Sequence, residues 1–369
     1  MTLLNKTTFV HIIAFLSVLP ACRTPKNSAY DVMLHTEEKY AESFIFSPGQ
    51  FASVHASTIV ELQDGTLMAC WFAGKREADK SVQIRCAKRT MQKWQNYSIA
   101  VKNGEKTQGS WLNNKFVGNP VLFHDEHNTL WLFYEAVEIG GHSGAAIDFK
   151  TSKDQGNSWS SSKRFAGGFG NFGHLVRNKP LRLSSGRIVI PAYREFTSKY
   201  SYSEIVRLKD EDIIDRQYHR IPETGHLQPS IIHFKTKLFA YMRSTQTKKV
   251  LYSVFDFSSQ KWSLPQPTNL PNPNSALDSV VTTDGKVLIV YNSRTDSRDR
   301  LSLAYSNDGV YFTRIYDFEN QSEMKFSYPA IIKDRNERFH VTYTFNRTSI
   351  KHVSFDRNWL EKKIQKQNF

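Results

Sequence analysis

Six segments of this chain open alike, and that recurrence limits the available folds more than any other feature. Each starts with a polar residue, passes through a small residue or proline into an apolar run, turns, and returns as a second apolar run near an aromatic. The starts are His55, Asn119, Lys179, Gln228, Asp278 and Tyr328, at spacings of 64, 60, 49, 50 and 50 residues. Asn119-Pro-Val-Leu-Phe with Leu130-Trp-Leu-Phe-Tyr134 is one copy; Tyr328-Pro-Ala-Ile-Ile with Phe339-His-Val-Thr-Tyr343 is another. A period of this size belongs to radially repeated sheets, each unit being a hairpin extended by further strands. A β-sandwich has no reason to repeat the same opening six times. The fold expected is therefore an all-β, six-bladed β-propeller spanning 46–360.

A second signature lies in phase with the first. Thr151-Ser-Lys-Asp154-Gln-Gly156-Asn-Ser158-Trp159 fits Ser-x-Asp-x-Gly-x-Ser/Thr-Trp, and Ser306-Asn-Asp308-Gly309 followed by Phe312 is a degraded copy. Aspartate accepting backbone N–H bonds and glycine at positive φ suit a tight turn between outer strands. The expected role is structural.

Composition agrees with strands: 25 Phe, 16 Tyr and 7 Trp recur inside Val/Ile/Thr-rich runs. The net charge of +14 favours anionic partners. The basic residues are scattered, with no recognition helix, so nucleic acid is not an expected partner. Residues 1–21 read as a signal peptide: Lys6 precedes an apolar stretch from Phe9 to Pro20 that is too short to span a membrane as a helix. Leu19-Pro-Ala-Cys22 resembles a bacterial lipobox, which implies lipidation at Cys22, an N-terminal membrane anchor, and residence in the cell envelope. Residues 22–45 would then be a tether, and 361–369 a fraying basic tail. Cys70 and Cys86 fall in neighbouring strands, as a disulfide or as two buried thiols. No metal-ligand or phosphate-loop pattern occurs, so no cofactor is expected; Gly167–Gly173 lacks the Lys-Ser/Thr of a phosphate loop. His142, His174 and His226 are expected to be structural or exposed. A monomer is expected.

Inner strands line a propeller's channel, so the six polar openers should converge at one mouth, with Asn119, Lys179 and Asp278 available to a ligand. Arg76, Glu77 and Asp79, then Arg243, then Arg294, Arg298 and Arg300 follow second strands near that face. Arginine's planar fork suits a carboxylate.

With these segments in hand the chain resembles the sialidase superfamily, in its bacterial branch of Asp-box predicted neuraminidases. The resemblance is carried by His-Ala-Ser-Thr-Ile-Val-Glu-Leu at 55–62, Asn-Lys-Pro at 178–180, Gln-Pro-Ser-Ile at 228–231, Pro-Asn-Pro-Asn-Ser at 271–275, Tyr-Pro-Ala at 328–330 and Ile-Lys-His at 350–352. It implies an exo-glycosidase acting on terminal acidic sugars. Tyr328 would be the nucleophile, Glu77 the acid (or else Asp79), and Arg243 and Arg300 carboxylate-clamp arginines, with Arg298 the second choice for the latter. Arg76 would be an additional first-blade arginine. Two positions depart from the family pattern: His55 stands where a clamp arginine opens the first repeat, and Gln228 where a glutamate would tune the tyrosine. Two alternatives follow. One is another glycosidase or lyase, acting on uronate or rhamnose glycans with His55 as acid/base; the other is a non-catalytic glycan-binding propeller.

Overall fold

The computed structural model describes residues 33–37 (backbone only), 40–168 and 170–367. Cys22 and the expected signal segment lie outside the described residues. The chain forms six antiparallel sheets in sequence order, the blades of a propeller. Inner strands are Ser53–Glu61, Phe116–His124, His174–Val176, His226–Phe234, Asp278–Val281 and Phe326–Lys333. The second strands, in the same order, are Leu67–Gly74, Leu130–Val137, Ile188–Glu195, Lys237–Ser244, Val287–Asn292 and Phe339–Phe345.

Apolar side chains on both faces of each sheet interlock with the next blade. Met68, Phe72 and Ile84 of the first blade pack with Leu122, Leu132 and Tyr134 of the second. Trp71 of the first blade packs with Ile350 of the last. The ring is closed by antiparallel pairing of Tyr40–Phe44 onto Ser349–Phe355, with Tyr40 opposite Phe355. Blade formation therefore starts before residue 46. The end differs from expectation too. Residues 357–365 form a helix capped by Asp356, whose carboxylate accepts from Trp359 N at 2.8 Å. Trp359 and Leu360 are buried, and the Trp359 ring stacks on Tyr40 at 4.9 Å. An apolar helical face docked on the closing seam replaces the fraying tail.

Four inner strands carry a bulge at the same repeat position. Register breaks lie between His55 and Thr58, Gly118 and Val121, Leu227 and Ser230, and Ser327 and Ala330. Within them Ala56, Asn119, Gln228 and Tyr328 have φ of +52°, +42°, +56° and +55°. Left-handed backbone at a non-glycine residue is costly and re-aims the side chain. The phase of the first repeat is thus corrected by one residue: Ala56, not His55, is equivalent to Tyr328.

The Asp-box turn forms as expected. Asp154 accepts from Ser158 N at 2.9 Å, Ser158 Oγ at 2.5 Å and Ser152 Oγ at 2.7 Å, and Gly156 has φ +84°. The hydrogen bonds from Ser158 hold its carboxyl down at about 2. That contribution to stability is present above the ordinary carboxylate range and is lost as pH falls through about 2. Because the turn is exposed, Asp154→Ala should cost only about 1 kcal/mol, or about 2–4 °C in Tm, read by calorimetry. Cys70 and Cys86 face each other across the second and third strands of blade one, with Cα atoms 4.0 Å apart, and are disulfide-bonded.

Candidate active site

Tyr328 sits on the sixth blade's bulge and is fixed from three sides. Beneath it Arg177 is 2 % exposed; its Nη2 donates to Tyr328 O at 2.6 Å and Pro329 O at 3.1 Å, and its Nη1 to Ser57 O at 3.2 Å. The guanidinium carbon lies 5.0 Å from the Tyr328 ring centre, a cation–π distance. The His55 ring lies beside it, 4.2 Å between centroids, with Nδ1 3.1 Å from Thr344 Oγ1. The Gln228 amide Nε2 reaches the Tyr328 hydroxyl at 3.3 Å and the buried Tyr193 hydroxyl at 3.2 Å. The Arg177 cation beneath the ring and the Gln228 amide at the hydroxyl thus both bear on Tyr328.

Three further arginines surround the mouth, from three blades. Arg243 is the last residue but one of the second strand of blade four, Arg298 lies in the fifth blade's loop after Asn292, and Arg347 lies between the second and third strands of blade six. Arg243 Nη1 and Arg298 Nη2 approach the same carbonyl, Asn274 O, at 3.4 and 3.0 Å. Arg243 Nε has no partner among the described residues. Arg298 and Arg347 line one cleft of about 400 Å³ with Ser297 and Ser327. Burial, then the charges of Arg347, Arg177, Arg298 and Arg243, push His55 far below the usual histidine range. His55 is therefore neutral, a packing support for Tyr328 and unsuited to donating a proton.

Opposite lies a chain of carboxylates around one histidine. Glu135, 1 % exposed, accepts from Asn119 Nδ2 at 2.9 Å and lies 2.5 Å from His142 Nδ1. His142 Nε2 is 3.7 Å from Glu77, whose other oxygen accepts from Arg347 Nη1 at 2.8 Å. The Glu135 charge and hydrogen bond, reinforced by Glu77 and Tyr328, outweigh burial and push His142 up to about 9.

Several expected residues fall elsewhere. Arg76 is 85 % exposed and pairs loosely with Asp79, which closes its own turn by accepting from Ser81 N at 2.8 Å. Arg300 already belongs to the third strand of blade five, where Asn320 takes its Nε at 3.0 Å and Asp317 lies 3.7 Å away; Arg298, two residues earlier in the loop, reaches the mouth instead. Lys179 and Asp278 pair with each other at 2.8 Å. Asp278 also accepts from Ile331 N at 2.9 Å and Ser230 Oγ at 2.7 Å. That pair ties inner strands together at the level of Ile331, three residues past Tyr328. Asn119 is committed to Glu135. His174 and His226 are buried and hydrogen-bonded within the fold, as expected.

The sequence does not single out Arg177, Arg347, Glu135 or Tyr193, and His142, expected to be structural or exposed, joins them at the site. Three carry a usable signal: Glu135 is the lone acid in the otherwise apolar, fully buried strand Leu130–Val137, and Arg347 and His142 lie in the loops after second strands, near the repeat position at which blade four carries Arg243. Arg177 precedes Asn178-Lys179-Pro180 with nothing to mark it as buried.

The chain spans much of several solved sialidases at low identity. The Hadza microbial sialidase Hz136 superposes with a TM-score of 0.69 at 16% identity, covering 86% of this chain and 68% of that one. For Trypanosoma rangeli sialidase in complex with the inhibitor DANA the values are 0.69, 14%, 88% and 61%. A protein of unknown function from Dyadobacter fermentans superposes at 0.67 and 11% identity, covering 89% of this chain and 98% of that one. At such identities the likeness establishes the sialidase-type propeller fold. No curated protein sequence matches the chain. Residues 65–341 match the BNR repeat-like domain, and the chain belongs to that family.

Proposed function

We propose that this protein is an exo-acting glycosidase of sialidase type, removing a terminal acidic sugar from a glycan. The observation that carries this reading is the meeting of Arg243, Arg298 and Arg347 around Tyr328. Arg298 and Arg347 line one cleft and Arg243 shares the Asn274 carbonyl with Arg298, so the three guanidinium forks lie close enough together to match a sugar carboxylate, each offering parallel N–H donors. Arg347, from the sixth blade, takes up the work of the clamp arginine absent at His55; its carbonyl accepts from Val54 N at 2.9 Å, beside that position. With the carboxylate held, Tyr328 Oη faces the anomeric carbon, to attack it or to stabilise its positive charge.

The test is release of free acid sugar from a fluorogenic sialoside. Release dependent on Tyr328 supports the reading; no release, with turnover instead of uronate- or rhamnose-containing glycans, rejects the sialidase form. Binding without product on any of these would mark a glycan-binding propeller. Within the clamp, Arg298→Ala should raise KM roughly 10-fold or more, as expected for losing a charge-assisted bond, whereas Arg300→Ala should leave it within about twofold. Equal effects from the two would reassign the clamp to the outer strand.

An exported lipoprotein, anchored through Cys22, remains part of the proposal; metabolic labelling with a fatty acid analogue, abolished by Cys22→Ser, tests it.

A further inference from the structure

A glycosidase needs a proton donor for the leaving oxygen, and the first-blade loop supplies a poor one. Asp79 is spent on its own turn, and Glu77 is engaged by the Arg347 guanidinium at 2.8 Å. Beside that loop, on the neighbouring blade, His142 stands with Nδ1 fixed on Glu135 and Nε2 3.7 Å from Glu77. It lies in the loop Gly140-Gly141-His142-Ser143-Gly144, directly after the second strand of blade two. That is the repeat position from which blade six projects Arg347 and blade one Glu77. Nδ1 is anchored on buried Glu135, itself anchored by Asn119, and the ring edge rests against Phe116 at 5.7 Å. The side chain is 43 % exposed, with Nε2 3.7 Å from Glu77 and Tyr328 close enough to act electrostatically on the ring.

We propose that His142, oriented by Glu135, is the acid/base of this site, in place of a first-blade carboxylate. This rests on the glycosidase reading above. In the first half-reaction the bond from the anomeric carbon to the leaving oxygen breaks, its electron pair staying on that oxygen, which takes the Nε2 proton of His142. Tyr328 Oη bonds to the anomeric carbon and its proton passes to solvent. In the second half-reaction water attacks that carbon and gives a proton back to His142 Nε2. The tyrosine oxygen leaves and regains a proton from solvent, so the net change is hydrolysis. The Asn119–Glu135 couple is then a positioning pair: it sets the tautomer and, with Glu77 and Tyr328 facing the ring, keeps the imidazole charged at neutral pH.

Two measurements on the full chain decide the matter. The first follows the His142 ring by NMR in histidine-labelled protein, assigned with His142→Gln. The charged form should persist up to about pH 9; titration at or below the ordinary histidine range overturns the proposal whether or not a substrate is known. The second compares turnover of a nitrophenyl sialoside with that of an alkyl-linked sialoside. A missing acid matters most for the poor leaving group. His142→Gln should therefore lose about 100-fold or more on the alkyl substrate and less than about 10-fold on the nitrophenyl one. Glu135→Gln should move the alkaline limb of the pH profile downward, a shift that mere packing damage would not give. Should Glu77→Gln show the leaving-group pattern and His142→Gln not, the acid is Glu77. Inactivity of the unmodified chain on both substrates would instead overturn the glycosidase reading, and the acid role with it.

Discussion

Tyr328→Phe should lower kcat by about a thousandfold or more while leaving KM for the acidic sugar within a few-fold. The substitution removes one oxygen and little else. The ring keeps its contacts with His55 and with the Arg177 guanidinium, and the backbone bonds that Arg177 makes to Tyr328 O and Pro329 O do not involve the side chain. The bulge conformation at φ +55° is equally demanding for phenylalanine. The clamp arginines are untouched, so ground-state binding persists, and the loss falls on the step in which the phenolic oxygen meets the anomeric carbon. Gln228 sharpens the expectation. An amide cannot take the tyrosine's proton, so the oxygen's nucleophilicity depends on the amide donor and on the surrounding cations instead. Loss of KM with kcat preserved would mean that Tyr328 binds sugar and does no chemistry.

Arg347→Ala should raise KM about 10–100-fold, the loss expected for a charge-assisted contact to a carboxylate. Arg347→Lys should recover only part of it, because an ammonium cannot reproduce the planar fork. Backbone geometry is conserved in both variants, since each is an L residue at the φ of +56° that Arg347 already adopts, and Val54 N bonds to the main-chain carbonyl. The substitution also frees Glu77 from its 2.8 Å partner. That carboxylate would then face the substrate's own negative charge, and the penalty should shrink as salt rises. Steady-state kinetics with the alanine and lysine variants at two ionic strengths would read both effects. An unchanged KM would remove Arg347 from the clamp and leave His55 an uncompensated gap.

The architecture was legible because blade repetition is written in local pattern: polar opener, proline or small residue, apolar hairpin, aromatic. The Asp box was legible for the same reason, its turn being built from neighbours in sequence such as Ser152, Asp154 and Ser158. Tyr328, Gln228 and Arg243 could be placed by repeat position. What failed was phase and depth. A bulge adds one residue to a strand, so His55 was aligned by polarity where the backbone aligns Ala56, and Lys179 and Asp278 were placed at the mouth although they pair below it. Arg300 against Arg298 turned on where a loop becomes a strand, a boundary that local pattern resolves poorly. The role of His142, expected to be structural or exposed, and that of Glu135 lie in a contact: a histidine in a glycine-rich loop gives no sign of it until a buried carboxylate is seen behind it. The helix after Asp356 is hidden in the sequence by its charged residues, which make the part from 361 onward, Ile364 included, look like a tail.

A crystal structure of the chain with an acidic monosaccharide bound would test the central claim, that side chains from separate blades assemble one carboxylate-reading mouth over Tyr328. The account predicts the carboxylate within hydrogen-bonding distance of Arg243, Arg298 and Arg347, and the anomeric carbon facing Tyr328 Oη. A sugar whose carboxylate avoids all three arginines, or whose anomeric carbon points away from the tyrosine, would contradict it.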